Sequence, residues 1–170
     1  ARTRNPYSDY GYYFLTEADD EPLTTDSATM VSTNYPASND YHQLYEVDDY
    51  SWFHGGRNLF DKTLFAIGTP LTYTLKATGA DGQICVALTA DDDYEATLEV
   101  NDSLVGTMSK RVSLDSYTKA DEQMYQYTLN GALKAENTIR ITLKKGSNVR
   151  LDYIDLYHAE PTPLDMANLP

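Results

Sequence analysis

The 170-residue chain holds a single cysteine, Cys85. No intrachain disulfide can form, and cysteine usage leaves the redox compartment open. Basic residues are scarce: 13 Lys and Arg stand against 26 Asp and Glu, for a net charge of -13. A surface of that sign repels phosphate backbones and anionic lipid, which argues against nucleic acid as a partner and against attachment to a membrane surface. No apolar run approaches the roughly 20 residues a helix needs to cross a bilayer. The chain opens at Ala1 with no basic, apolar, small-residue leader, and it reads as a piece of a longer polypeptide.

Catalytic and metal signatures are equally thin. His42, His54 and His158 share no helical i, i+4 spacing and have no Cys or His neighbour in sequence, so zinc is not expected. Cys85 lies inside the apolar run ICVALTA. That is the setting of a buried structural thiol, where a nucleophile needs an electropositive, partly exposed one. No phosphate loop is visible, and no cofactor is expected. Asp91, Asp92 and Asp93 form the densest carboxylate cluster. They are weak calcium candidates, because an oxygen shell would need a second acidic loop, and a solvated turn is the simpler account.

What the chain does have is tyrosine, 15 against four Phe and one Trp. Tyr suits strand faces, and it also suits the exposed aromatic platforms on which sugars stack. The richest stretch is Tyr41 to Phe60, YHQLYEVDDYSWFHGGRNLF. Within it Tyr50, Trp52 and Phe53 are the candidate ligand platform, with a plug at one end of the fold as the alternative reading. Gly55 and Gly56 let the backbone pass close to a neighbour. Arg57 brings a rigid donor fork suited to anchoring the loop on carbonyls or on Asp48 or Asp49.

From Leu71 onward, apolar and polar residues alternate with period two. Leu71, Tyr73, Leu75 and Ala77 share one face, as do Ile84, Val86, Leu88 and Ala90, and Ala96, Leu98 and Val100. The pattern returns at Tyr125, Tyr127 and Leu129, at Ile139, Ile141 and Leu143, and at Val149, Leu151 and Tyr153. Turn signals fall at Gly79 to Gly82, Asp91 to Asp93, Asn130-Gly131 and Lys145 to Asn148, the last read as a hairpin between the final two strands. Only Asp115 to Gln123 reads at all as a helix, and a short one. The expected fold is all-β: an antiparallel β-sandwich over 41–160, preceded by a lead-in segment over 1–40; the final VRLDYIDLYHAE resembles the closing strand of galactose-binding-like carbohydrate modules, which implies a jelly-roll or galactose-binding-like type. The proline-rich 161–170 reads as a linker.

Three stretches, NPYSDYGYYFLT from Asn5, HQLYEVDDYSWFHGGRNLFDK from His42 and RLDYIDLYHAE from Arg150, resemble the region that precedes the catalytic domain in gingipain-like cysteine peptidases, especially the sortase of the bacterial type IX secretion system. Leu59, Phe60 and Asp61 stand where that family commonly has another aromatic pattern. The resemblance implies a non-catalytic accessory sandwich whose parent is a cysteine endopeptidase, with its catalytic His and Cys in a domain beyond Pro170. The parent would remove carboxy-terminal sorting domains from secreted cargo. The implied partners are that catalytic domain, the cargo and outer-membrane components, and the implied location is the periplasm, outer membrane or cell surface. A carbohydrate-binding module is the alternative, and a surface-interaction domain without a small ligand is a third.

Overall fold

The described residues form eight strands, six of them the alternating segments: β1 His42–Glu46, β2 Pro70–Lys76, β3 Gly82–Ala90, β4 Tyr94–Val100, β5 Ser103–Lys110, β6 Asp121–Leu129, β7 Glu136–Lys145 and β8 Arg150–His158. The computed structural model describes residues 41–53 and 58–160. The expected lead-in over 1–40 and linker over 161–170 lie outside them. Two four-stranded sheets run β1-β8-β3-β6 and β2-β7-β4-β5, and every pairing is antiparallel. The chain is therefore an all-β antiparallel sandwich, as the alternation requires.

The inward residues are those the period-two pattern marks. Ile84, Val86 and Leu88 meet Leu98, Ile139 and Ile141 in a core where each is fully buried. Burying side chains of this size stabilises by about 1.5–3 kcal/mol apiece. Asn137 shares the inward face of β7 and is fully buried. Its amide donates to Lys134 O at 2.7 Å, and its Oδ1 accepts from Lys134 N at 2.8 Å and Asn101 Nδ2 at 2.9 Å. Every polar atom of that amide is thus satisfied, which removes the penalty of burying it.

Two sequence expectations are corrected. Lys145 to Asn148 is no hairpin, because β7 and β8 belong to different sheets; the turn carries the chain across the sandwich, with Gly146 at φ 107. A Cβ on Gly146 would come within 2.6 Å of Asp93 O. Among the described residues the one direct hairpin joins β4 to β5 through Asn101 and Asp102, both at positive φ, the two-residue arrangement whose twist matches that of its strands. Finally, Asp115 to Gln123 is not helical. Asp115 Oδ1 accepts from Tyr117 N and Thr118 N, each at 2.8 Å, in a side-chain-capped turn, and from Asp121 the chain is already β6.

Edge carbonyls of β5 and β6 are engaged by side chains. Lys110 Nζ donates to Glu122 O at 3.0 Å and Gln123 Nε2 to Met124 O at 2.9 Å along β6, while Tyr127 OH donates to Thr107 O at 2.9 Å on β5. Occupied edge carbonyls cannot template another strand.

Candidate functional site

Register builds the outer face of the β1-β8-β3-β6 sheet in rows. Leu44, Asp155, Cys85 and Gln126 form one; Glu46, Tyr153, Ala87 and Met124 the next; Arg150, Thr89 and Glu122 a third. Asp152 sits where the β3 and β8 registers shift, between the partners of Ala87 and Leu88. A bulge of this kind re-aims its side chain and interrupts the ladder.

Residues 47–53 and 58–62 fold over the third row. Tyr50 bridges to Phe60 by paired backbone bonds of 2.9 and 2.8 Å. The Tyr50 and Trp52 rings meet edge to face at 5.4 Å and 86°. Trp52 Nε1–H donates to Thr89 Oγ1 at 3.1 Å. The Arg150 guanidinium lies 3.5 Å from the centre of the Tyr50 ring and 5.8 Å from that of Trp52, and its Nη1 donates to Lys62 O. Asp61 N donates to Leu151 O at 2.9 Å, continuing the seam beside β8. Asp49 closes the loop on Lys62, accepting from its backbone N at 2.8 Å and its ammonium at 2.8 Å. The Lys62 hydrogen bond holds the Asp49 carboxyl below the usual carboxylate range.

Of the sequence candidates, Tyr50 and Trp52 are thus brought together, half-buried and tied to β3 and β8, while Phe53 is exposed. Gly55, Gly56 and Arg57, with His54, lie outside the described residues. A guanidinium does anchor this loop from within β8. It is that of Arg150, which sequence reasoning passed over because one Arg at an outward strand position looks like ordinary solvated surface.

Asp91, Asp92 and Asp93 form the turn that crosses from β3 to β4. Asp91 Oδ2 accepts from Asn148 Nδ2 at 3.0 Å, and Asp93 Oδ1 accepts from Val112 N at 2.8 Å. Among the described residues no group of His, Cys, Asp and Glu is arranged to hold a metal ion. Cys85 is buried on the outer face of β3, and burial, with Asp155 beside it, pushes its thiol pKa up. A thiol so placed is held in its unreactive form. His158 is buried at the end of β8, its Nδ1 2.6 Å from Glu160 O.

The feature least visible in sequence is a group of carboxyls around the bulge. Burial, then Glu122, Glu46 and Asp48, raise the Asp152 pKa to about 7, and Asp152 shares a hydrogen bond with Glu122. Residues 46 and 48, residue 122 and residue 152 come from three separate parts of the chain, and no local spacing announces their meeting.

No family profile and no curated protein matches the chain by sequence. Its fold is similar to part of the crystal structure of dimeric latent PorU from Porphyromonas gingivalis, with TM-score 0.57 and 19% identity over 74% of this chain. The chain spans 13% of the length of that protein. It is also similar to a family 35 carbohydrate-binding module from an environmental isolate, with TM-score 0.50 and 19% identity over 75% of this chain and 96% of the module. A further family 35 module, from Cellvibrio japonicus Abf62, overlays with TM-score 0.47 at 15% identity, over 75% of this chain and 89% of the module.

Proposed function

We propose that this chain is a non-catalytic β-sandwich accessory domain of a gingipain-like cysteine peptidase of the type IX sortase kind, acting in the periplasm, at the outer membrane or at the cell surface. The observation that carries the reading is a coincidence of two likenesses. Two of the stretches that resemble the sortases, His42 to Lys62 and Arg150 to Glu160, supply the loop and the strand that Arg150 ties together. The same sandwich is similar in fold to a segment of PorU. The domain would orient or shield the catalytic centre of its parent, contacting cargo or outer-membrane components. Two experiments test this. The coding sequence around the chain should encode a peptidase domain with a Cys and His dyad in the same frame. Deleting 41–160 from the parent in the producing bacterium should leave secreted proteins with their carboxy-terminal sorting domains attached. A frame without such a domain, or normal processing after the deletion, ends the proposal.

The likeness to a family 35 carbohydrate-binding module over nearly that module's whole length supports a second reading, a glycan-binding module. Fold alone does not carry function, and Tyr50 and Trp52 are engaged by Arg150 and Thr89. A glycan array separates the two: specific binding lost in Trp52→Ala, with the melt unchanged, favours the module.

A further inference from the structure

The two outer faces of the sandwich differ in kind. On the strands β2, β7, β4 and β5, three carboxylates meet five cations. Arg140 there pairs with Glu99 at 3.0 Å and with Asp102 at 3.1 Å. That face is rich in threonine, with Thr72, Thr74, Thr97 and Thr138 at outward positions, and its one exposed large apolar side chain is Leu104. Such a surface satisfies itself and is at ease in water.

The strands β1, β8, β3 and β6 carry five carboxylates against one guanidinium. Asp121 is paired with Lys110 at 3.0 Å, reaching over from β5. The single guanidinium, Arg150, is engaged by the Tyr50 ring and the Lys62 carbonyl. Amid these charges Leu44, Met124 and Tyr157 stand 51%, 50% and 44% exposed. Tyr153 lies between them, its OH donating to Met124 Sδ at 3.3 Å. The Asp155 carboxyl is hydrogen-bonded by Tyr157, while its Oδ1 is buried with no hydrogen-bond partner, a state that costs free energy. The raised pKa of Asp152 is a further sign that negative charge on this face lacks compensation. Leu44 and Met124 stand on the two edge strands, with Tyr153 and the β8 carboxyls between them; exposed apolar side chains set among charge of one sign fit a protein partner of the opposite sign.

We infer that the outer face of the β1-β8-β3-β6 sheet is the docking face for the adjoining peptidase domain, and that it is met there by a surface that presents Lys or Arg among apolar side chains. The inference rests on the accessory-domain reading and specifies which face of the domain is used.

The test is association of the purified 170-residue chain with the peptidase domain encoded in the same frame, produced separately and titrated by calorimetry at low and high salt. Leu44→Asp should weaken association by about tenfold or more, since a few apolar contacts carry most of the energy of an interface. The pair Glu46→Lys with Glu122→Lys should weaken it as well and flatten its salt dependence. Leu44, Glu46 and Glu122 are all exposed, so melts should confirm that these variants stay folded. Thr72→Asp with Thr74→Asp, on the opposite face, should change nothing. If the frame encodes no peptidase domain, the accessory reading falls and this inference falls with it. If the domain is encoded but does not associate, or associates unaffected by Leu44→Asp and the double charge reversal, the inference alone is overturned. It is equally overturned if sedimentation shows that the face instead holds a second copy of the chain, or if neutral oligosaccharides such as xylohexaose bind there in competition with the domain.

Discussion

Arg150 lies over the ring of Tyr50 with its guanidinium carbon 3.5 Å from the ring centre, and this contact fixes the loop from Val47 to Lys62 against the start of β8. The cation gains from the ring face, and its Nη1 reaches Lys62 O at the far end of the same loop. One side chain thereby closes both ends of a long connection. A half-buried cation–π contact contributes about 0.5–2 kcal/mol, and a charge-assisted hydrogen bond adds about 1.5–3 kcal/mol. Arg150→Lys keeps the charge but loses the planar fork. It should lower stability by about 1–2 kcal/mol and shift Trp52 fluorescence toward that of a wetter indole. A variant with parental melting temperature and emission would show that the loop is held by other means.

Gly106 allows the two sheets to approach at the β5 and β6 edges. A Cβ there would stand 2.2 Å from Tyr127 Cε1, closer than real contacts permit. The ring cannot simply swing away, because its OH is bonded to Thr107 O. Gly106→Val should therefore cost about 1–3 kcal/mol through overpacking, whereas Tyr127→Ala combined with Gly106→Val should cost less than the sum of the separate changes. Additive losses in denaturant titrations would refute the steric account.

The architecture was legible because burial on one face imposes period two, and six strands announce themselves that way. Two were not. β1 carries His42, Gln43 and Glu46 at an edge with little to bury, and β5, SLVGTMSK, has only Met108 fully buried. Sheet assignment was harder still: Lys145 to Asn148 looks the same in sequence whether it turns within a sheet or crosses between sheets, and only the facing cores of β7 and β8 decide. Tyr50 and Trp52 stand out because strands do not require them, yet their partners Thr89 and Arg150 are distant in sequence and chemically unremarkable. The carboxyls around Asp152 meet only through register and a bulge.

Trp52 is held by one hydrogen bond and one edge contact, from its Nε1 to Thr89 Oγ1 at 3.1 Å and from its ring to Tyr50. Thr89 is buried, and its hydroxyl in turn reaches Asp121 O at 3.3 Å. Trp52→Ala should therefore lower stability by about 2–3 kcal/mol, somewhat under the range for a fully buried ring. Thr89→Val, which keeps the shape and removes the acceptor, should cost about 1 kcal/mol. Thermal melts read both, and unchanged melting in Trp52→Ala would count against the plug and for an exposed platform.

The carboxyl of Asp152 gives the fold a pH dependence of definite sign. Its pKa is raised in the folded chain to about 7 from the ordinary 3.8, by burial first and by Glu122, Glu46 and Asp48 after it. Between those values the folded state binds more protons at this group than the unfolded state does, so stability falls as pH rises through the window and levels off above about 7. The undiscounted shift corresponds to about 4 kcal/mol. The group is only partly buried, so solvent and salt screening reduce the expected loss to about 1–2 kcal/mol. Asp152→Asn removes the charge while keeping the shape. It should stabilise the domain at pH 8 by a similar amount, have little effect at pH 4.5 where Asp152 is already protonated in the fold, and flatten the profile between. Urea titrations of both proteins at these pH values decide the matter. A variant equally stabilised at both ends, or destabilised at pH 8, would mean that the Asp152 carboxylate is compensated in the native domain and that the crowding around the bulge carries no free-energy cost.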